Sequence, residues 1–255
     1  MKKHNSNKIS VRDNDGQPEM SSQKGFTLVE LSIVLVIIGL IIGGILKGQE
    51  LIGNAQIKNV VSQTQAYQAA TVAFKDKYGA LPGDVVGANN VIPGCTVAPC
   101  LPGSGTEGDG LVGATTSATY NTNVSAAVEN VAFWQQLAAT RFIGNIELGT
   151  TGTAIFGSRF PSAKTGGGFH VLYQGATGRH VLRLSALPTT VTSALGALRP
   201  DQALQIDRVI DDGRPNTGSV FTNTTLSAAT CFTSATNIYV SANNNSTCNI
   251  VIEIN

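Results

Sequence analysis

The chain has 255 residues, room for one ordinary globular domain with appendages. Only 13% of them are charged and the formal net charge is +1, so the dense basic surface of a nucleic-acid binder is missing and no nucleic acid is expected as primary ligand. The first 25 residues mix Lys2, Lys3, Lys8, Arg12 and Lys24 with Asp13, Asp15 and Glu19 and show no apolar periodicity, so they read as a flexible leader.

The sequence then changes character. Phe26 to Leu46 is a run of 21 residues, all apolar or uncharged except Glu30, close to the ~20 residues that about 30 Å of hydrocarbon requires. Positive charge precedes the run and Lys47 follows it, which favours a cytoplasmic N-terminus. A secretory signal would end in small residues at a cleavage site, whereas Lys47, Gly48, Gln49 and Glu50 follow here, so the segment is expected to stay with the mature protein. Gly39 with Gly43 and Gly44 with Gly48 have the spacing that lets membrane helices approach closely, or are glycines a membrane helix tolerates.

Glu30 is costly in lipid unless it has a partner or sits at the interface. One reading is an interfacial residue on a plain anchor; the other is assembly, with Glu30 meeting a positive group on a neighbour. The stretch KGFTLVELSIVLVIIG, from Lys24 to Gly39, resembles the class III signal of the type IV pilin and type II secretion pseudopilin superfamily. The resemblance implies cleavage by a prepilin peptidase between Gly25 and Phe26, N-methylation of Phe26, and a role for Glu30 in registering subunits during assembly. It further implies other copies, related pilin-like subunits and an inner-membrane assembly platform as partners, with the head on the periplasmic side or in a fibre. The leader is longer than in many pseudopilins, and Lys47 stands where many major pilins have a helix-bending proline.

Beyond the membrane segment, Ile57, Val60, Val61, Thr64, Tyr67, Thr71, Phe74 and Tyr78 recur mostly at steps of three and four, the stripe of one helix face. No proline falls between Phe26 and Ala80, so a single helix of about 50 residues is expected, ended by Gly79, Pro82 and Gly83. The reading divides the chain into a leader (1–25), a transmembrane and assembly helix (26–47), the periplasmic half of that helix (48–79) and a globular head (80–255). The expected fold class is α+β and pilin-like: a long N-terminal helix packed against a head with a small antiparallel sheet.

The head begins with a long turn-rich loop. LPGD at Leu81 to Asp84, GDG at Gly108 to Gly110 and IDRVIDDGRPNTGSV from Ile206 resemble segments of a group of LPGD-containing bacterial pilin-like proteins. Four cysteines allow three pairings; the local ones, Cys95 with Cys100 and Cys231 with Cys248, are preferred because each closes a short loop. A helix is predicted from about Ser125 to Phe142 with Trp134 in its apolar face, then a hairpin around Gly175 to Gly178. A further helix opens at Pro200 and stops near Gly213, and CNIVIEI forms a terminal strand whose edge is covered by the head or by another subunit.

Asp207, Asp211 and Asp212 are candidate calcium ligands, since some secretion pseudopilins order a head loop with calcium. Their spacing is not an EF-hand, and a solvated helix end with an arginine-paired carboxylate is the favoured reading, so no cofactor is expected. His170 and His180 flank the hairpin and Ser32 lies in the apolar run, so no nucleophile and base fall into an ordered constellation and an enzyme is not expected. The expected function is a structural subunit of a pilus or pseudopilus fibre; the alternative is a single-pass adhesive or sensor protein that does not polymerise.

Overall fold

A computed structural model describes residues 25–102, 107–113, 129–149, 155–175, 178–186, 196–222, 227 and 230–254. The chain divides into two compact units, Met1–Gln49 and Glu50–Asn255. Helix α1, Leu28–Tyr78, runs through 51 residues without a break. It stops where Gly79 takes a left-handed φ of 74° and its N–H bonds to the Lys75 carbonyl at 2.8 Å. Lys75 and Lys77 in the last turn oppose the negative end of the helix dipole.

In the first unit α1 is apolar on every side, and the large side chains from Leu28 to Leu46 are all exposed. This stretch makes α1 long and apolar enough to cross a membrane. In the second unit the stripe read from the sequence turns inward: Ile57, Val60, Val61, Thr64, Thr71 and Phe74 are buried, with Tyr67 and Tyr78 packed against the same core.

The head contributes α2 (Ala88–Val91), α3 (Glu129–Ala139), α4 (Pro200–Ile210) and two antiparallel sheets. The larger sheet runs in the order β1 (Gly168–Gln174), β2 (Arg179–Ser185), β6 (Ile250–Ile254), β3 (Val220–Phe221). The smaller pairs β4 (Phe232–Thr233) with β5 (Ile238–Tyr239). Register places Val171 opposite Leu182, Leu182 opposite Ile252 and Ile252 opposite Val220, so these four share the face that joins the main core. Tyr67 of α1 meets Trp134 of α3 edge-on at 5.0 Å and Phe169 of β1 at 5.4 Å, tying helix, helix and sheet together. Burial pushes the Tyr67 phenol up to about 12. Gln68 adds a polar tie by donating to the Glu253 carbonyl at 2.8 Å.

The fold class is therefore α+β, a long N-terminal helix with a head containing a small antiparallel sheet. The hairpin lies where the sequence placed it, although 176–177 fall outside the described residues, as do Ser125 and the predicted start of α3. Trp134 is fully buried in the core. The cysteines form Cys95–Cys100 and Cys231–Cys248. Of the two coverings expected for the terminal strand, the head supplies it: β6 lies between β2 and β3, so both its edges are paired within the head. Ile250, Val251 and Ile252 are all fully buried, as an interior strand covered on both faces requires.

Two residues on α1 test this packing. Phe74 is fully buried and Val72 is 46% exposed. Phe74→Ala is expected to cost about 3–5 kcal/mol of head stability, and Val72→Ala less than about 0.5 kcal/mol. Urea unfolding followed by the fluorescence of Trp134, the one tryptophan, measures both.

Candidate functional site

At the entrance of α1, Gly25 and Phe26 are exposed and Thr27 caps the helix. The Thr27 N–H and its hydroxyl both donate to Glu30 Oε2 at 2.9 Å, and the Glu30 N–H donates back to Thr27 Oγ1 at 3.3 Å. This is a reciprocal capping box, which satisfies donors a helix otherwise leaves open at its start. Glu30 thus has a partner one turn away inside its own chain. Both bonds fall on Oε2, and among the described residues nothing donates to Oε1. From Leu31 to Leu46 no other formal charge follows. A Cβ built on Gly39, Gly43, Gly44 or Gly48 would meet nothing within 4 Å, so no packing among the described residues requires glycine there.

The second cluster explains why LPGD and GDG occur together. Asp84 accepts the Gly108 N–H on Oδ1 at 2.5 Å and the Gly110 N–H on Oδ2 at 3.0 Å, so one carboxylate holds the distant loop by its backbone. Burial raises the Asp84 pKa; hydrogen bonds from the Gly108, Gly110 and Asp109 backbone oppose that shift, and the Asp109 charge adds to it. The preceding Gly83 has φ 90°, and a Cβ there would fall 2.5 Å from the Glu129 carbonyl oxygen, so only glycine fits against the start of α3. Its N–H donates to Gln136 Oε1 at 2.6 Å, while Gln136 Nε2 donates to the Cys100 carbonyl at 3.1 Å. Glu129 Oε2 accepts the Gly113 N–H at 3.0 Å, and the Val112 N–H donates to His180 Nε2 at 3.1 Å.

The third cluster lies after α4. Asp207 is fully buried, accepting the Tyr239 hydroxyl at 2.8 Å and the Gly213 N–H at 2.9 Å. Asp211 Oδ2 accepts the N–H groups of Ser219 and Val220, and Asp212 accepts from Arg214 N–H at 2.8 Å and Thr217 Oγ1 at 2.6 Å. The reading of a solvated helix end with an arginine-paired carboxylate fits Asp212 alone, which is exposed and whose pKa is lowered by the Thr217 hydroxyl and also by the Arg214 charge; Asp207 is buried and Asp211 half-buried, and their partners are backbone amides and the Tyr239 hydroxyl. A short polar side chain beside a turn meets its own backbone sooner than a distant arginine. Burial is the main reason the Asp207 carboxyl is pushed up to about 6; its bonds to Tyr239 and Gly213 oppose the shift, and Asp212 and Asp211 add to it.

One carboxylate oxygen from each of Asp207, Asp211 and Asp212 lies within 4.8 Å of the others, and the same holds for Asp84, Asp109 and Glu129. Both trios have the oxygen chemistry a hard cation takes, yet their members already receive donors from their own loops. What they do in this structure is pin irregular backbone. His170 is buried in β1 with Nδ1 3.4 Å from Ser185 Oγ; burial and the nearby Arg183 hold its pKa well below the usual value. Both members of that serine–histidine contact are buried in the head.

Sequence reasoning missed the role of Thr27 and the buried Gln135 and Gln136. Thr27 had a signal, since Thr followed three residues later by Glu is the capping-box pattern. The glutamines had none, because Gln on a helix ordinarily reads as solvent-facing.

Residues 20–46 match the family described as the prokaryotic N-terminal methylation motif. No curated protein and no solved structure matches the chain. The match contains Gly25, Phe26 and Glu30, and the chain carries a prepilin signal of the type IV pilin and pseudopilin kind. Such a signal marks a processed, prepilin-like protein.

The pH dependence of the Asp207 site follows from its shift. An ordinary Asp titrates near 3.8 and folded Asp207 near 6, so between these values the folded chain holds a proton that the unfolded chain has lost. Stability from this group is greatest at the acid end and falls as pH rises through that window. Asp207→Asn removes the titration. The stability of wild type minus that of the variant should therefore fall between about pH 4 and 6 and level off above it, as read from urea midpoints.

Proposed function

We propose that this prepilin-type chain is cut between Gly25 and Phe26 by a prepilin peptidase, methylated at Phe26, and assembled as a structural subunit of a type IV pilus-like or type II secretion pseudopilus fibre. Before assembly it is held in the bacterial inner membrane by the apolar part of α1, with its N-terminus cytoplasmic and its head periplasmic. It works with the methyltransferase, the inner-membrane assembly platform, and other copies or related pilin-like subunits. The disulfides Cys95–Cys100 and Cys231–Cys248 fit an oxidising compartment for the head.

The observation that carries the reading is the single carboxylate in the 21 residues from Phe26 to Leu46. In the uncut chain Thr27 supplies its hydrogen bonds, which lowers the cost of a carboxylate at the edge of lipid without cancelling its charge. Cleavage creates a cation, the Phe26 amine, one helical turn from Glu30. A neighbour displaced by about one turn brings its own amine beside this Glu30, where Oε1 accepts it. The pairing repeats from copy to copy because donor and acceptor sit on different parts of each subunit, and such heterologous contacts build open filaments. Apolar contact along the rest of α1 supplies the area; Glu30 supplies the register.

Glu30→Ala separates processing from assembly. Cleavage at Gly25 is expected to continue, since the residues at the cut are unchanged. Incorporation into fibres should fall by roughly tenfold or more, because removing one partner of a buried charge pair costs on the order of 2–5 kcal/mol. Comparing processed subunit in sheared or cross-linked fibres with that in membranes measures this. Wild-type incorporation by the variant would sink the registration mechanism.

A further inference from the structure

We propose that the Cys95–Cys100 disulfide is an oxidation-dependent clasp that acts through Gln136 to fix the loop forming one wall of a cleft at the end of α1. The cleft has a volume of about 500 Å³, and Lys75, Asp84, Val86, Val91, Gly108 and Gly110 are among the residues that line it. Its wall is built from irregular backbone. Between Tyr78 and Gly113 the only regular element among the described residues is the single turn α2, so the shape of this wall depends on tethers.

The tethers form one continuous path. Cys95 and Cys100 are both buried, and their bond closes the loop between them. The Cys100 carbonyl then accepts Gln136 Nε2 at 3.1 Å, and Gln136 Oε1 accepts the Gly83 N–H at 2.6 Å. Gln136 is fully buried on α3, so each end of its amide has one fixed partner and no water to replace it. The residue after Gly83 is Asp84, whose carboxylate holds Gly108 and Gly110. Opening the disulfide frees the backbone at Cys100, releases one end of Gln136, and loosens the seat of Gly83 against α3. The grip of Asp84 on the cleft wall loosens with it.

Closing the clasp converts two thiols into one S–S bond with loss of two protons and two electrons. A disulfide-bearing protein oxidant takes up those electrons by thiol–disulfide exchange and leaves as its dithiol. Exchange needs an accessible sulfur, and both cysteines are buried in the folded head, so the clasp closes while the head forms and is shielded afterwards. The path of contacts rests on the geometry of the head alone. Only the timing, closure after the head leaves the cytoplasm, rests on the proposed processing.

Hydrogen exchange by mass spectrometry on the full chain in detergent tests the clasp. Three proteins are compared: oxidised wild type, the double variant Cys95→Ala/Cys100→Ala, and Gln136→Leu with its disulfides intact. Both variants are expected to exchange roughly tenfold or more faster over residues 107–113, with β6 at residues 250–254 protected as in wild type. Wild-type protection of 107–113 in either variant would break the path and overturn the proposal. So would equal acceleration of 250–254, which would make the disulfide a staple of the whole head. Cleavage at Gly25 does not enter this readout, so a chain that is never processed leaves the test intact.

Discussion

One carboxylate on the first turn of an apolar helix constrains everything that follows it. Glu30 stands alone among uncharged residues, so lipid penalises it and any donor nearby gains from meeting it. Thr27 is that donor inside the chain. An amine created one turn away would be a stronger one, because a charge-assisted bond gains more than a neutral hydroxyl gives. On the proposed reading the same residue would serve two states: a capped helix start before processing, and a ligand for a neighbour's cation after it. An alanine would make a better membrane helix and would carry no information about register.

The head solves a different problem by related means. Its regular elements bury an apolar core around Tyr67, Trp134 and the inner face of the sheet, but among the described residues stretches of backbone such as 79–87 and 211–219 have no ladder to join. Carboxylates take up the unpaired amides. Asp84 holds the GDG loop, Asp207 joins the turn after α4 to Tyr239 on β5, and Asp211 holds Ser219 and Val220 at the start of β3. Buried amides that lack secondary-structure partners need acceptors, and a carboxylate offers several in one short side chain. The two acidic trios follow from this: their members converge because the loops they hold converge.

How much of this the sequence reveals depends on whether the signal is periodic or long-range. The stripe from Ile57 to Phe74 was legible because a helix repeats its burial every three or four residues, and the β1–β2 hairpin because its strands and turn are adjacent in the chain. The signal at Gly25, Phe26 and Glu30 was legible as a local pattern of residue types. The covering of β6 was left open between the head and another subunit, although the unbroken run Ile250 to Ile252 already fits a strand buried on both faces. Gln136, Tyr239 and the reach of Asp84 to Gly108 were not legible at all. Each is a single contact between residues more than 20 positions apart, and no periodicity marks such a pair.

The most direct measurement is the intact mass of the membrane-extracted protein from its native host, with fragmentation of the N-terminal peptide. The account predicts a chain that begins at Phe26 and carries one added methyl group. A chain still beginning at Met1, in a host with active prepilin peptidase, would contradict it, because Glu30 would then have no amine to meet.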